Sequence, residues 1–361
     1  MRTDAQTHGM PAEKKLQTGL RRAPMKIQWV KKIASDGNHN AFTALALFKG
    51  RYFVVFRNGK HHAEDACGTQ VLMTSRDGEQ WETFHNKQFF DAKESGRATD
   101  YRDSCFLNLG EELRLYSFCT PFDSAGERMP RDSKSTVQIT RDGLTWTEPE
   151  VICDRAILWK PIFWNGQFWC AGYWRLPHPG PLVVDLYRSP DGLAWTPVSR
   201  IAEGNETALF PTSNGLRAYV RTNKAPHHLE IWESHGDFTT WEKVGVIPKG
   251  IQAPQLQVIN GECHLFGREI YSSLEMPVQP SSLRRTKGWR IEGTEAIEVL
   301  ELPSCGDTSY VGTVVRPDGT LLVSYYSQHE IVDPNPTADD PNGKPNDVFI
   351  ACVSIGEAAN L

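Results

Sequence analysis

A short turn sequence that recurs along the chain constrains the fold more than any other feature. Three copies run Ser75–Trp81, Thr140–Trp146 and Ser189–Trp195, and an altered fourth copy runs Ser234–Trp241. In the first three copies a hydroxyl residue stands two positions before Asp-Gly, and a tryptophan ends the turn. Asp-Gly tolerates the positive φ of a tight hairpin, and the indole fills the space beside it. We therefore expect a supersecondary unit that is repeated along the chain.

The spacing of the tryptophans predicts the size of this unit. Trp146, Trp195, Trp241 and Trp289 are separated by 49, 46 and 48 residues, which is the length of a four-stranded propeller blade. Six strand-like runs occur in order along the chain: Tyr52–Phe56, Leu113–Phe118, Phe168–Tyr173, Leu216–Val220, His264–Gly267 and Leu321–Tyr326. The sequence therefore predicts an all-β fold, a six-bladed β-propeller with four antiparallel strands per blade.

The two ends of the chain are expected to close the ring. The last unit contains Leu321–Tyr326 and Asp347–Ile355, but no turn of the Asp-Gly type follows them. Lys26–Ile33 is the simplest source of the missing outer strand, and its pairing would remove an exposed sheet edge. We expect a disordered segment over residues 1–24 and a single propeller domain over residues 25–361.

Composition argues against several classes of partner. The net charge is −5 and no cluster of Lys and Arg occurs, so we expect no nucleic-acid partner. No apolar run approaches the roughly 20 residues that span a bilayer, and we expect no membrane partner. Residues 1–24 lack the apolar stretch of a secretory signal, which favours a cytoplasmic location, or a secreted or periplasmic one if a leader was removed. The eight cysteines occur singly, so we expect free thiols. No Gly-rich phosphate loop or His-x-x-x-His zinc motif occurs, so we expect no metal and no cofactor.

Polar residues stand where the propeller axis should be. The start of the first strand and the end of the second strand of each blade lie on one face, because adjacent strands are antiparallel. Polar residues at or near strand starts are His39, Asn40, Arg102, Asp103, Lys160, Glu206, Gln255, Asp307 and Tyr310; those at or after strand ends are Arg57, Arg221, Arg268, His329 and Glu330. The pattern predicts one polar pocket, in which Arg57, Arg221 and Arg268 bind a carboxylate.

The repeat and the blade order of residues 26–355 resemble those of the sialidase (neuraminidase) superfamily. The resemblance implies that Glu206 and Arg221 match a glutamate and an arginine of the family's fourth blade. Arg268 matches an arginine of the fifth blade, and Tyr310 matches the tyrosine nucleophile that opens the sixth. By this resemblance the protein is a retaining glycoside hydrolase that acts on an acidic sugar of an oligosaccharide or glycoconjugate.

Two features differ from the family pattern. The first three turns are one residue shorter than the family's Ser-x-Asp-x-Gly-x-Thr-Trp, and the Phe-Arg-Ile-Pro sequence that supplies the family's first arginine is absent. The segment 39–42 (His-Asn-Ala-Phe) stands in its place, and Arg57, one strand later, is the candidate substitute. The family keeps its acid/base aspartate on a loop after this strand, which makes Asp65 one candidate; Asp103 is the other.

The chemistry explains why these residue types would be grouped. A phenol is a poor nucleophile at neutral pH, so Glu206 would take the proton of Tyr310 while a second acid serves the leaving oxygen. Guanidinium groups bind a carboxylate in bidentate fashion. We expect His329 and Glu330 to complete the pocket, with Glu330 orienting an arginine.

Alternative interpretations stay open at this point. Arg102 with Asp103, and Glu206 with Arg221, also fit structural ion pairs. If Tyr310 belongs to the core, Asp307 is the alternative pocket group. His61 and His62 are expected to face solvent. Two other functions fit the same pocket: a polysaccharide lyase acting on uronic acids, and a propeller that binds glycans without catalysis.

Overall fold

Six four-stranded antiparallel sheets surround a central axis. The computed structural model describes residues 24–62, 68–87, 98–154, 156–177, 180–271, 281–331 and 344–356, and the structural statements below concern these residues. All but the last residue of the predicted disordered segment 1–24 lies outside them. The predicted six-bladed propeller with four antiparallel strands per blade is confirmed.

Each of the first five blades takes four consecutive strands, ordered from the axis outwards. The first three blades consist of β2 (His39–Phe48), β3 (Arg51–Gly59), β4 (Thr69–Ser75) and β5 (Glu82–Lys87); β6 (Thr99–Asn108), β7 (Leu113–Pro121), β8 (Lys134–Thr140) and β9 (Glu150–Asp154); and β10 (Ile157–Trp164), β11 (Gln167–Arg175), β12 (Leu182–Ser189) and β13 (Thr196–Glu203). The next two consist of β14 (Thr207–Pro211), β15 (Gly215–Arg221), β16 (Leu229–His235) and β17 (Glu242–Ile247), and of β18 (Gly250–Ile259), β19 (Glu262–Ile270), β20 (Arg285–Glu292) and β21 (Glu295–Glu301).

The sixth blade joins the two ends of the chain. It contains β22 (Ser309–Val315), β23 (Thr320–Ser327) and β24 (Asp347–Ser354), with β1 (Lys26–Ala34) as its outermost strand. β1 pairs antiparallel with β24, so the predicted closure by the N-terminal strand is confirmed. Apolar side chains of β3, β23 and β24 form one buried cluster, which extends the closure to the contact between the sixth and first blades.

The described part of the chain contains little helix. The described residues include two short 3-10 helices, Pro130–Asp132 and Ser281–Leu283. No described helix has the length and apolar character that crossing a membrane requires. The seven cysteines that the structure describes are free thiols.

The repeated turns connect the third and fourth strands of the first three blades. In the Ser189–Trp195 turn, Oδ1 of Asp191 accepts hydrogen bonds from the backbone N–H groups of Leu193 (2.8 Å) and Ala194 (2.9 Å). Oγ of Ser189 accepts the Gly192 N–H at 2.8 Å. The other two turns repeat these bonds. Trp289 is different, because it lies inside β20 and is fully buried, so it does not mark a fifth turn.

Replacing Asp191 by alanine should lower stability by about 1 to 2 kcal/mol, since two backbone N–H groups lose a charged acceptor. These hydrogen bonds lower the pKa of Asp191. The stabilisation is therefore present above the unfolded-state pKa, roughly 3.9, and is lost as the pH falls through the lower folded-state pKa. Urea unfolding at pH 7 and pH 2.5 measures the difference. Glu111→Ala, an exposed loop carboxylate, is the control, and equal stability of both variants at pH 7 would contradict the expectation.

Five of the six inner strands share an irregularity that positions the site. Their pairing with the second strand shifts register at one equivalent place. The residue inside each shift has a positive φ: Phe42 61°, Asp103 52°, Lys160 46°, Ala253 53° and Tyr310 46°. Non-glycine residues rarely adopt this conformation, and bulges of this kind redirect side chains next to active sites. The repeated bulge therefore provides equivalent positions around the axis for functional side chains.

Candidate active site

The centre of the candidate site is a hydrogen bond between Tyr310 and Glu206. The Tyr310 hydroxyl donates to Oε1 of Glu206 at 2.9 Å, although 104 positions separate the two residues. Tyr310 occupies the bulge of β22, and its ring packs edge-to-face against Phe42 and Trp159, with centroid distances of 4.7 and 5.3 Å. Both members of the pair are buried. Packing on two sides therefore holds the phenol against the carboxylate.

Glu206 is held as a carboxylate. Its Oε2 accepts hydrogen bonds from an Nη of Arg221 and from the backbone N–H of Ala253, the latter at 2.7 Å. Burial alone would raise the pKa of Glu206, but the charge and the hydrogen bond of Arg221 outweigh it, so the pKa lies below its usual value. One oxygen of an ionised carboxylate thus faces the Tyr310 hydroxyl.

The pKa of Asp103 is shifted in the opposite direction from that of Glu206. It occupies the bulge of β6, is 9% exposed, and lies within hydrogen-bonding reach of Tyr310. Burial raises the pKa of Asp103, although Arg102, with Nε 3.5 Å from Oδ2 of Asp103, opposes the shift. Burial and the charges of Asp103 and Glu206 also raise the pKa of Tyr310 well above 10. The phenol therefore lies between a carboxylate and a carboxyl group that retains its proton to higher pH.

A second polar cluster surrounds Asp307, which lies just before β22 and is 1% exposed. Its Oδ1 accepts hydrogen bonds from Arg268 Nη1 at 2.9 Å and from the Tyr326 hydroxyl at 3.3 Å. Its Oδ2 faces Nε2 of His39 at 3.0 Å and Nδ1 of His62. Burial opposes ionisation of Asp307, but the charge of His62 and the hydrogen bonds of both histidines hold its pKa well below the usual value.

Three arginines lie on this side of the axis. Arg221 binds Glu206, and Arg268 is positioned by Gln252 Oε1 at 2.8 Å as well as by Asp307. The third is Arg284, which is partly buried. Burial, together with the positive charge of Arg268, lowers its pKa to about 10, and Arg221 and Asp307 also act on it electrostatically. Its guanidinium makes no hydrogen bond or ion pair with any residue that the structure describes, so it is available to an anionic ligand.

Arg57 is engaged elsewhere. Its Nε donates to Oδ1 of Asp100 in the second blade at 2.5 Å, and an Nη donates to the His61 carbonyl at 2.6 Å. The contact with Asp100 joins the first and second blades. Arg284, rather than Arg57, accompanies Arg221 and Arg268.

The other predicted site residues that the structure describes make contacts of a different kind. Asn40 donates to Asp36 at 2.9 Å and so belongs to a local network. Lys160 donates to Gln255 Oε1 at 2.5 Å, and both line a cavity of about 550 Å³ at the other end of the inner strands; burial lowers the pKa of Lys160 to about 8. Glu330 binds Lys32 of the outer strand at 2.8 Å, not an arginine.

His329 contacts Ser327 Oγ at 3.0 Å and packs against Phe349, so it also faces away from the arginines. Asp65 lies outside the described residues.

Sequence reasoning missed Arg284 and placed His62 in solvent. Arg284 follows a short 3-10 helix instead of ending a strand, so the strand-end pattern did not include it. His62 is partly exposed, yet its Nδ1 reaches Asp307. Neither residue follows the repeat of the strands in the sequence. The positions of both depend on how the loops fold over the mouth of the propeller.

Comparison with known proteins gives a likeness of fold. No family model and no curated protein matches the sequence. The solved structure of Trypanosoma rangeli sialidase in complex with sialic acid is similar, with a TM-score of 0.62 and 12% identity over 93% of this chain and 59% of that one. The complex of the same sialidase with the inhibitor DANA gives 0.63 and 13% over 88% and 55%. Zg3597, a family 117 glycoside hydrolase of Zobellia galactanivorans, gives 0.50 and 11% over 94% and 93%.

The chain therefore spans less than two thirds of the length of these sialidase chains. At such low identity the likeness establishes the six-bladed, sialidase-like fold. Chemistry has to be argued from this chain's own residues.

Proposed function

We propose that this protein is a retaining glycoside hydrolase that acts on a sugar bearing a carboxylate. The observation that carries the proposal is the buried hydrogen bond of 2.9 Å from the Tyr310 hydroxyl to Glu206. A phenol with a raised pKa becomes a nucleophile only when a base takes its proton, and Glu206 is an ionised base in contact with it. The fold is similar to that of a sialidase solved with sialic acid, so acidic sugars are, by analogy of fold alone, the first substrates to test.

The two carboxyl groups would divide the acid and base roles. Two carboxyl groups whose surroundings shift their pKa values in opposite directions are typical of an acid/base pair. Here the pKa of Glu206 is lowered and the pKa of Asp103 is raised. Tyr310 attacks the anomeric carbon as Glu206 takes its proton, and the leaving oxygen receives a proton from Asp103. Asp103, now ionised, takes a proton from water, whose oxygen attacks the anomeric carbon and breaks its bond to Tyr310, and the phenolate recovers its proton from Glu206. Asp65 stays the alternative acid.

The arginines would bind the carboxylate of the sugar. Arg221 and Arg268 are oriented by Glu206 and Asp307, while Arg284 lies beside them without a protein partner among the described residues. Three guanidinium groups with only two carboxylate partners leave an excess of positive charge. An anionic substrate would neutralise it in a largely water-free site.

Arg284→Ala should therefore raise KM more than it lowers kcat. A hydrogen bond to a charged group contributes about 1.5 to 3 kcal/mol, which corresponds to a KM roughly 10 to 100 times higher. Steady-state kinetics on an acidic glycoside measures the effect. Arg290→Ala, which removes an arginine paired with Glu262 and Glu292 elsewhere in the fifth blade, should leave KM unchanged. An unchanged KM for Arg284→Ala would remove it from the carboxylate site.

A panel of acidic glycosides tests the proposed function directly. Sialosides and uronic-acid oligosaccharides are incubated with the protein, and products are followed by proton NMR from the first turnover. Retention of anomeric configuration in the released acidic sugar supports the proposal. An unsaturated sugar that absorbs in the near ultraviolet would instead identify a lyase. Tight binding with no product across the panel would identify a glycan-binding propeller.

A further inference from the structure

We propose that His39, His62 and Asp307 form a binding site for a divalent transition-metal ion such as Zn²⁺. The three residues come from the start of the first blade, the loop after β3 and the segment before β22. Their ligand atoms, two imidazole nitrogens and one carboxylate oxygen, all lie within 4.8 Å of one another. The inference goes beyond the glycosidase proposal and does not depend on it.

The hydrogen bonds of His39 determine which of its ring nitrogens carries a hydrogen. Its Nδ1 lies 2.7 Å from the backbone carbonyl oxygen of Lys344, which can only accept, so Nδ1 carries the hydrogen. In the neutral ring Nε2 then presents a lone pair to Oδ2 of Asp307, 3.0 Å away. Two lone pairs do not attract each other, so a cation has to lie between them. That cation is either a proton, carried by the ring or by Asp307, or a metal ion.

The arrangement of hydrogen bonds around the cluster favours the metal ion. Metal-binding histidines usually donate their other ring N–H to a carbonyl or carboxylate, as His39 does to Lys344. Oδ1 of Asp307 is taken by Arg268 and Tyr326, which leaves Oδ2 for the imidazoles. A proton satisfies one nitrogen–oxygen pair, whereas a metal ion satisfies all three converging atoms at once.

The segment that carries Asp307 is held rigidly. The backbone N–H of Asp307 donates to Gln328 Oε1 at 2.8 Å, and its carbonyl accepts from Asn346 Nδ2 at 2.9 Å. Gly306 has a φ of +70°, and a Cβ there would lie 2.2 Å from Gln328 Oε1, so no other residue fits without displacement. Metal sites require ligands that are positioned before the ion binds, and this anchoring supplies that condition.

The ligand set indicates the class of ion. Two histidines and one carboxylate are typical of catalytic zinc sites, which keep a fourth position open for water or substrate. Ligand atoms around tetrahedral Zn²⁺ lie roughly 3.3 Å apart, close to the 3.0 Å between His39 Nε2 and Asp307 Oδ2. The three ligand atoms together lie only within 4.8 Å of one another, so the His62 ring would have to shift for all three to bind one ion. His39 is fully buried and Asp307 nearly so, while the His62 side chain is 29% exposed and marks the side from which an ion would enter. The added charge would lie next to Arg268 and would strengthen attraction for an anion.

Metal uptake by the purified full chain tests the proposal. The protein is treated with a chelator, dialysed, and titrated with Zn²⁺ by calorimetry and with Co²⁺ by visible absorption. We expect one ion per chain, a Co²⁺ spectrum typical of nitrogen and oxygen ligands, and an affinity loss of roughly tenfold or more in His62→Gln and Asp307→Asn. His235→Gln, an exposed histidine at the β16 end, should bind like the wild type.

Two results of the binding measurements would overturn the proposal. One is the absence of stoichiometric binding of either ion to the folded wild-type chain, and the other is binding that neither variant weakens. Because Asp307→Asn removes a buried charge and could prevent folding, the metal titrations of His62→Gln and of the wild type decide the test. In the wild type, nitrogen-15 NMR of the histidines should show Zn²⁺-dependent shifts of His39 and His62. Protons on both nitrogens of His39 with Zn²⁺ in excess would contradict the site.

Discussion

Tyr310→Phe should lower kcat on the substrate of this protein by on the order of a hundredfold or more. The substitution removes the hydroxyl that donates to Glu206 at 2.9 Å and keeps the ring that packs between Phe42 and Trp159. Without that oxygen no covalent intermediate forms on residue 310. Measurement of kcat and KM once an active glycan is found checks this, with KM expected to change less than kcat.

A second buried tyrosine provides the control. The hydroxyl of Tyr325, in the second strand of the sixth blade, donates to the Pro303 carbonyl at 3.2 Å. Tyr325→Phe therefore loses one hydrogen bond, about 1 kcal/mol of stability, while activity is retained. Full activity of Tyr310→Phe in the same assay would show that Tyr310 is not the nucleophile.

Glu206→Gln should also lower kcat by on the order of a hundredfold or more, because an amide does not take the phenol proton at neutral pH. The pH profile separates this role from a structural one. The pKa of Glu206 is lowered, so wild-type activity should fall on the acid side only below the usual range of a glutamate. The raised pKa of Asp103 sets the alkaline limb, where activity falls as the pH rises. Glu206→Gln should lose the acid limb and keep the alkaline one, in kcat/KM measured from about pH 3 to 9.

Another glutamate–arginine pair in the fourth blade is a matched control for Glu206. Glu233 accepts a hydrogen bond from Arg217 Nε at 2.7 Å on neighbouring strands away from the axis. Glu233→Gln should lose about as much stability toward unfolding as Glu206→Gln, and it should keep its activity. If both variants of the central pair, Tyr310→Phe and Glu206→Gln, remain fully active, the tyrosine mechanism is wrong for this chain.

The fold was predictable because its determinants are local. In the Ser189–Trp195 turn, residues of the turn itself supply all the donors and acceptors of four hydrogen bonds, so the turn can be recognised in the sequence wherever it occurs. Blade length and order follow from the spacing of such turns. The pairing of β1 with β24 was also predictable, since an incomplete last blade leaves only the N-terminal strand to fill it.

The grouping of site residues was predictable only in part. Blade order places Glu206 at the start of the fourth blade and Tyr310 at the start of the sixth, and the structure brings their side chains to 2.9 Å. Their catalytic roles, and that of Asp103, stay predictions. Strand order says which residues share a face of the propeller but not which atoms touch.

Only the tertiary structure decided which arginines share the mouth and what surrounds Asp307. Arg57 and Arg268 both stand near the ends of second strands, yet Arg57 binds Asp100 and Arg268 binds Asp307. Arg284 and His62 reach the same region from outside the strands. Turns and blades depend on residues adjacent in sequence, whereas these contacts depend on bulges, loop paths and charges that come together only when the ring has closed. For this reason the sequence by itself determined the propeller, and the closed propeller determined the chemistry of its mouth.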